Sequence, residues 1–398
     1  MPLNELRKSS ENYLLAHDPF LGDVKKSTSV EPHSGQDSQG IGGVSLTARY
    51  LIYKHLLSLV NVQDFPQIEP TNFEKCYPKS LTQHCHKIGE GLYGEVFLYR
   101  RPIGGTTVMK VIPIGGTQTV NGENQKKWKE VLSEIIIATE LSNLKYSRTD
   151  NQTSGFVEVT NIQCVQGKYP EALLNLWDLY KETKGSINES PEIFEDDQLY
   201  LVLETNYAGC PVASFPFIHA AQAFSMFLQI AFALAIAEDE LQFEHRDLHL
   251  GNILLTQVST NEKITYRFRG KEIKICSYGV KVTMIDFTMS RITLDNVNIF
   301  VDLSNDCGVF NGSGDYQYEI YKLMQQKNGN EWSHFEPYSN VLWLSYILDK
   351  TVTTLRYEDT NCKLHRKYMN KLKELNLEML GHDSARDFVC NLFGNKIF

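Results

Sequence analysis

The feature that most constrains the fold is an apolar stretch at residues 220–237, AAQAFSMFLQIAFALAIA. A run of this length is at the short end for a bilayer span, and Gln222, Ser225 and Gln229 interrupt it. We therefore predict a helix buried inside a large domain, and no membrane association. The composition suits such a domain, because 42% of the 398 residues are hydrophobic and 22% are charged.

The order of strand-like and helix-like segments predicts an α+β protein with two lobes. Strand-like runs lie at 96–98, 106–112 and 198–204, with a helix predicted at 128–144 between them. After about Ala208 the chain is predicted to be mostly helical, with short strands near 252–255 and 280–285 and helices near 314–327 and 337–352. The predicted organisation is a disordered segment 1–43, a helical extension 44–80, a strand-rich lobe 81–207 and a helix-rich lobe 208–398.

Charge and cysteine content limit the partners and the compartment. The net charge of −9 disfavours binding of nucleic acid through the whole surface and favours a basic peptide. None of the eight cysteines forms a CxxC pair, and the first 20 residues lack the apolar core of a secretory signal. Cys76 and the run His84-Cys85-His86 fit no standard zinc module. We expect reduced thiols and a cytosolic or nuclear protein.

A glycine-rich turn opens the strand-rich part, with Gly89, Gly91 and Gly94 in a GxGxxG pattern. This pattern alone is weak, because dinucleotide-binding proteins share it. In those proteins the glycines open a helix, whereas here they lead into the strand-like run Val96-Phe97-Leu98. A strand–turn–strand glycine loop indicates backbone N–H groups placed over nucleotide phosphates.

Two charged residues after the glycine-rich turn, Lys110 and Glu134, have the order expected of a nucleotide-binding lysine and its partner carboxylate. Lys110 lies in the strand-like run Val108-Met109-Lys110, and Glu134 follows 24 residues later in the predicted helix. A lysine here can bind the α- and β-phosphates of ATP while a glutamate fixes its position. Taken alone, either residue is more simply explained as part of an exposed surface pair.

The strongest motif is His245-Arg246-Asp247-Leu248-His249-Leu250-Gly251-Asn252, a full match to HRDLxxxN. Asp247 is placed to accept a proton from an attacking hydroxyl, and Asn252 to bind Mg²⁺. Asp286, after the strand-like run 280–285, is a second magnesium ligand. All five features occur in the order and at the spacing of protein kinases, so we predict an enzyme that transfers phosphate from ATP with Mg²⁺.

From about His86 onward the chain resembles the haspin family of atypical serine/threonine kinases. The shared segments are Lys87–Gly91, Val120–Gly122, Glu134–Ile137, Phe243–His249, Ile285–Arg291, Gly314–Gln317 and Pro337–Leu344. Thr288 follows the Asp-aromatic pair where most kinases have glycine, and no Ala-Pro-Glu motif occurs later. The resemblance implies a bilobal monomeric kinase that needs no activating phosphorylation. It also implies a nuclear, chromosome-associated enzyme that phosphorylates a threonine near the start of the histone H3 tail.

The resemblance also implies the site residues. The nucleotide would be bound by Ile88, Gly89, Glu90, Gly91, Gly94, Val96, Val108, Lys110, Glu204, Thr205, Asn206, Tyr207, Gly209, Asn252, Leu254, Ile285 and Asp286. The basic peptide would contact Glu90, His249 and Asp306. The sequence departs from the family at three acidic peptide-binding positions, which are Pro211, Ala213 and Gly308 here, and at the gatekeeper, which is Thr205 instead of an aromatic residue.

Three alternatives stay open at this point. A kinase-fold scaffold without turnover is disfavoured, because Lys110, Asp247 and Asp286 are all present. A small-molecule kinase would retain the same aspartates, and only the family resemblance argues against it. A haspin-like kinase with a different basic substrate fits the thinned set of acidic positions.

Overall fold

The structure is a computed structural model that describes residues 70–91, 93–100, 105–126 and 128–394. The predicted disordered segment 1–43 and the part of the predicted helical extension before residue 70 lie outside the described residues. The chain divides into two compact units. The described part of the first unit ends at Leu132 and resumes at Glu158–Tyr207, and the second unit contains Ser133–Val157 and everything from Ala208.

The first unit is built on a six-stranded sheet with the order β1-β7-β8-β4-β3-β2. Its strands are β1 (Thr71–Asn72), β2 (Cys85–Gly91), β3 (Gly94–Arg100), β4 (Thr106–Ile114), β7 (Val159–Gln166) and β8 (Leu199–Asn206), with a separate pair β5 (Thr119–Val120) and β6 (Glu123–Asn124). Its helices are α1 (Phe73–Cys76), α2 (Lys79–Thr82) and α4 (Glu171–Lys184), with a 3₁₀ turn at Pro191–Ile193, while α3 (Trp128–Asn143) crosses into the second unit.

The period of two along β4 separates the two faces of this sheet. Met109 and Val111 are fully buried, whereas Val108 and Lys110 are half-buried. Met109 is paired with Phe97 on β3, and the hydrophobic core also contains Phe73 and Tyr200. Lys110 therefore lies on the face opposite the core.

The second unit is mainly helical. Its helices are α5 (Ala220–Leu241), α6 (Cys307–Phe310), α7 (Tyr316–Lys327), α8 (Tyr338–Thr353), α9 (Lys363–Glu378) and α10 (Ala385–Phe393), with 3₁₀ turns at Leu144–Tyr146, Val212–Ser214, Leu250–Asn252 and Met379–Gly381. Its strands are β9 (Cys210–Pro211), β10 (Ile253–Gln257), β11 (Lys263–Phe268), β12 (Lys271–Cys276), β13 (Val280–Met284), β14 (Arg291–Leu294) and β15 (Val297–Phe300). The predicted α+β class is confirmed.

Helix α5 contains the apolar stretch. Within the described residues it is the one helix long and apolar enough to cross a membrane, and 94% of its most hydrophobic window is buried inside the protein. Its polar residues bond to neighbouring backbone: the Ser225 hydroxyl donates to Cys276 O at 2.8 Å, and Gln229 bonds to Val280 O and Val282 N at 2.9 Å each. The predicted buried helix is confirmed. Its Ser225 and Gln229 side chains provide hydrogen-bond partners for buried backbone groups of the neighbouring strands.

The prediction of a mostly helical second half was wrong at residues 263–276, which form the hairpin β11–β12. Burial alternates strictly along β11, where Tyr266 and Phe268 pack against Phe232 of α5. Arg269 and Gly270 make the turn with φ of +51° and +76°. Two left-handed residues between alternating strands are the signature of a tight hairpin.

Candidate active site

The glycine hairpin, formed by β2 and β3, needs its glycines for different reasons. A Cβ at Gly94 would lie 2.3 Å from the carbonyl oxygen of Val111, so packing against β4 requires glycine there. At Gly89 and Gly91 an added Cβ would come no closer than 3.9 and 4.0 Å to other atoms of the protein. Packing therefore does not explain these two glycines, whereas close approach of a phosphate would.

We expect two alanine substitutions to separate these reasons. Gly94→Ala should lower the free energy of unfolding by about 1–3 kcal/mol, because the new methyl group meets rigid backbone. Gly91→Ala should leave the melting temperature unchanged and raise the Kd for ATP about tenfold. Thermal denaturation and calorimetric titration with ATP measure the two effects. Equal destabilisation by both variants would contradict the distinction.

The predicted lysine lies on the same face as two other predicted nucleotide contacts. Lys110 is paired with Val96 on β3, and Val108 lies two residues before it on β4. Ile88 lies where the register of β2 shifts, between Lys87 and Gly89. Glu134 is buried in α3. Lys110 and Glu134 belong to different units, and their pairing stays a prediction.

The side chain of Glu204, a predicted nucleotide contact, lies on the core face of the sheet. The Glu204 carboxylate accepts hydrogen bonds from the hydroxyls of Tyr77 at 2.7 Å and Tyr99 at 3.0 Å, within the core face of the sheet. Burial, followed by the charge of Glu204, raises the pKa of Tyr77 far above its ordinary value. Thr205, the next residue, is paired with Val108 and so lies on the opposite face. The alternation of the strand thus places the Glu204 side chain on the core face, so the predicted nucleotide contact of this residue would have to come from its backbone.

The residues after Thr205 differ in exposure. The Asn206 side chain is exposed and donates to Glu158 at 2.7 Å, and Tyr207 is also exposed. Gly209 has a φ of +97°, and a Cβ there would lie 2.0 Å from Leu255 O on β10. Glycine is therefore obligatory at Gly209 for backbone packing, whatever its role toward a nucleotide.

The predicted catalytic aspartate is buried and held from two sides. Tyr321 of α7 donates its hydroxyl to Asp247 Oδ1 at 2.5 Å, and Asn252 Nδ2 donates to the Asp247 carbonyl at 2.9 Å. Burial raises the pKa of Asp247, while the charge of His249 and the Tyr321 hydrogen bond act in the opposite direction. This arrangement suits a general base, because the carboxylate is oriented and its proton affinity is increased.

His249 lies against that aspartate. Its Nδ1 accepts a hydrogen bond from Gly251 N at 3.0 Å. Nε2 is 3.8 Å from Asp247 Oδ2 and 3.3 Å from Asn252 Nδ2. The geometry supports a role for His249 in shaping the segment His245–Asn252, which we term the catalytic loop, beside its predicted role in peptide binding.

Arg246 anchors the loop from inside the protein. Its guanidinium donates to both oxygens of Glu244, at 3.0 and 3.1 Å, and to Trp332 O at 2.9 Å. The guanidinium also lies over the Trp332 ring, 5.2 Å from its centre. Arg246 has a φ of +66°, a conformation that non-glycine residues adopt rarely and mostly at functional sites.

The predicted magnesium ligands lie on adjoining segments. Ile285 N donates to Asn252 O at 3.0 Å, so the segment before Asp286 is tied directly to the catalytic loop. Asp286 has a φ of +61°, and its Oδ1 accepts from Thr288 N at 3.3 Å and from the Thr288 hydroxyl at 2.8 Å. Leu254 follows Asn252 on β10, where it pairs with Thr283 and Pro211.

These two side chains fit Mg²⁺. Asn252 donates through its amide nitrogen to Asp247, so its amide oxygen would be available as a ligand. Asp286 adds a carboxylate. A magnesium ion accepts such hard oxygen donors and needs few of them from the protein when a nucleotide phosphate supplies others.

The family description "Haspin like kinase domain" matches residues 46–386. The chain belongs to the haspin-like kinase family. It is 41% identical over 334 residues to a serine/threonine-protein kinase haspin homolog of Drosophila melanogaster, covering 82% of this chain and 58% of that protein. It is 41% identical over 330 residues to serine/threonine-protein kinase haspin of Bos taurus, covering 81% and 42%. A homolog of Arabidopsis thaliana is 34% identical, covering 82% and 53%.

The resemblance predicted from sequence is thus confirmed. The chain spans about half the length of the curated haspins that it matches. Membership of a kinase family implies the use of ATP, in line with the predicted nucleotide. Magnesium and the individual site residues stay predictions.

The haspin-like segment Pro337–Leu344 gains a reason from the structure. Asn340 accepts from His245 N at 3.1 Å and donates to Phe243 O and Glu238 Oε1 at 2.8 and 2.9 Å. Glu238 in turn accepts from the backbone of Ala385 and Arg386, the first residues of α10. Burial raises the pKa of Glu238 to about 7. The family resemblance identified this segment but did not indicate its role. Tyr321 could not be identified from the sequence, because nothing there distinguishes it from a core tyrosine.

Two acidic residues, Glu90 and Asp306, are predicted to bind the basic peptide, and they lie in different parts of the fold. Glu90 is buried, with Oε2 2.6 Å from Lys87 Nζ and 2.7 Å from the Ser186 hydroxyl. Its carboxylate therefore has partners inside the first unit, and its role in binding the peptide stays a prediction. Asp306 is also buried, and its Oδ1 accepts from Val309 N at 3.1 Å within α6. Three positions lack a carboxylate: Pro211 in β9, exposed Ala213 and Gly308 in α6.

Proposed function

We propose that the chain is an active serine/threonine protein kinase that transfers the γ-phosphate of ATP to a histone H3 threonine near the N-terminus. The observation that carries this proposal is the environment of Asp247, a buried carboxylate oriented by Tyr321 and Asn252. A scaffold without turnover has no need for an oriented base. The family relationship favours a nuclear enzyme associated with mitotic chromosomes and acting as a monomer.

The proposed reaction divides among four groups. Asp247 accepts the proton of the attacking threonine hydroxyl as that oxygen attacks the γ-phosphorus. Lys110 and the glycine hairpin bind the phosphates of ATP. Asn252 and Asp286 would hold Mg²⁺, which neutralises the charge of the phosphates when bound. The Thr288 hydroxyl orients Asp286 for that task.

The charge distribution supports a basic substrate held less firmly than the family pattern implies. The chain carries a net charge of −9, which attracts a basic tail. Glu90 is neutralised by Lys87, and Pro211, Ala213 and Gly308 supply no carboxylate. The proposed peptide contacts are Asp306, His249 and Glu90, whose carboxylate is already shared with Lys87 and Ser186.

We therefore expect phosphorylation of the H3 tail with a modest dependence on its basic residues. Replacing the arginine or the lysine that flanks the target threonine by alanine should lower kcat/KM less than about tenfold each, since one weak contact is worth about 1.4 kcal/mol or less. Steady-state kinetics on the three peptides measures this. A drop of several hundredfold would show that other carboxylates bind these residues.

A wider panel distinguishes the alternatives. Phosphorylation of other basic peptides, but of no histone tail, would leave the kinase in place and remove histone H3 as its substrate. Absence of ATP-dependent transfer to any hydroxyl would favour the scaffold. The Asp247→Asn variant, prepared in parallel, controls for contaminating kinases.

A further inference from the structure

A buried charge cluster lies along the glycine hairpin. Lys87 Nζ is 2.6 Å from Glu90 Oε2 and 2.9 Å from Glu95 Oε2, and it lies 3.6 Å from the centre of the Tyr180 ring. Glu90 is on β2 and Glu95 is on β3, so the lysine bridges both strands of the hairpin. The cluster contains two carboxylates and one ammonium, and all three side chains are at least nine-tenths buried. One negative charge therefore needs further hydrogen-bond donors.

The segment Ser186–Asn188, which follows α4 and which we term the clasp, supplies those donors. The Ser186 hydroxyl donates to Glu90 Oε2 at 2.7 Å, and Ile187 N donates to Glu90 Oε1 at 3.2 Å. Asn188 Nδ2 donates to Glu95 Oε1 at 2.9 Å and to the carbonyl oxygen of Gly91 at 3.0 Å. The clasp thus forms hydrogen bonds to both strands of the hairpin, in addition to the backbone hydrogen bonds between β2 and β3.

Asn188 has the most direct position in this arrangement. It is buried, and its single amide nitrogen joins the last residue of β2, Gly91, to the second residue of β3, Glu95. Gly91 is one of the two glycines that internal packing does not require. Asn188 therefore fixes the backbone at the point where a phosphate is proposed to approach. The next residue is fixed as well, because Glu189 N donates to Asn121 Oδ1 at 2.7 Å.

We propose that Asn188 is a positioning residue for nucleotide binding, which holds the glycine hairpin in its ATP-binding shape before ATP arrives. The inference rests on the proposed function, since it requires that the hairpin bind ATP. A loop held in its bound conformation loses less freedom on binding, and this preorganisation increases affinity. Asn188 acts through Gly91 and Glu95 and needs no contact with the nucleotide.

The test is the affinity of the full chain for ATP. Asn188→Ala removes both donations and should raise the Kd for ATP roughly 3- to 30-fold. The kcat at saturating ATP should stay within about twofold of wild type, because bound ATP restores the hairpin. Ser190→Ala is the matched control, since that hydroxyl lies two residues on and accepts only from Glu192 N at 3.4 Å among the contacts described. It should bind ATP like wild type.

Hydrogen–deuterium exchange separates positioning from general stability. In Asn188→Ala without ATP, peptides that cover residues 85–100 should exchange faster than in wild type, and ATP should abolish the difference. Ser186→Ala loses two hydrogen bonds at a partly exposed position, the one donated to Glu90 Oε2 and the one accepted from Asn188 N at 3.2 Å. It should show the same pattern at roughly two- to threefold in Kd. If Asn188→Ala does not fold, Ser186→Ala tests the proposal in its place.

The results that overturn the proposal are distinct from failure of the proposed function. If wild type binds ATP and both clasp variants bind it equally well, Asn188 has no positioning role. If kcat at saturating ATP falls in parallel with the melting temperature, Asn188 is structural only. If wild type itself binds no ATP, the proposed function fails first, and the nucleotide role of Asn188 fails with it.

Discussion

Asp247→Asn is expected to lower kcat by about 10²- to 10⁴-fold, the usual contribution of a general base. The asparagine oxygen can still accept the Tyr321 hydrogen bond, and the carbonyl that Asn252 contacts is unchanged. The variant should therefore fold like wild type but accept no proton. Single-turnover phosphorylation and circular dichroism measure the two properties. Wild-type turnover would remove Asp247 from the catalytic role.

Tyr321→Phe should have a smaller effect, because it leaves the Asp247 carboxylate in place and removes only a hydrogen bond to it. Loss of the hydroxyl removes a hydrogen bond that lowers the pKa of Asp247, so this pKa should rise. Since the base must be unprotonated, activity should then be lost at higher pH as the solution is acidified. The pH dependence of kcat/KM tests this. An acid limb that does not move would show that Tyr321 acts only by packing.

Glu244→Ala is expected to lower the free energy of unfolding by about 3–5 kcal/mol, because it leaves the buried Arg246 guanidinium without its carboxylate. Glu244 also accepts from Glu336 N at 3.0 Å and from the Ser339 hydroxyl at 2.9 Å. Denaturant unfolding measures the loss, and kinase activity should fall with it as the catalytic loop loses its anchor.

The matched control is Asp239→Ala, which breaks ion pairs with Arg269 and Arg386 at 3.0 and 3.1 Å. Both arginines are more than a third exposed, so the expected change is below about 1 kcal/mol. Similar effects of the two variants would show that burial of Arg246 is not decisive.

The catalytic loop could be predicted from sequence because its chemistry is local. Asp247 and Asn252 lie five residues apart, and their mutual hydrogen bond depends on that spacing alone. Tyr321 and Asn340 could not be predicted, because they reach the loop from helices 74 and 95 residues away. Such contacts depend on how helices pack, which a single sequence does not encode in any short pattern.

Resemblance to a family predicted residue types better than residue environments. Glu90 and Glu204 are both predicted ligand contacts, and the resemblance did not predict that each carboxylate also has a partner distant in sequence, Ser186 for one and Tyr77 for the other. An acidic residue in a strand can face either the core or the ligand, and only the register decides. The missed hairpin β11–β12 was different, since its alternation was legible in the sequence.

The bond network that joins α10 to the catalytic loop has a consequence for synthesis of the protein. His245 bonds to Asn340, Asn340 to Glu238, and Glu238 to the amides of Ala385 and Arg386. Roughly 140 residues separate the two ends of this network, which a ribosome adds at about 5–20 residues per second. Throughout that interval Glu238 lacks the two donors from α10. A nascent chain therefore completes this network only after the first residues of α10 have left the ribosome.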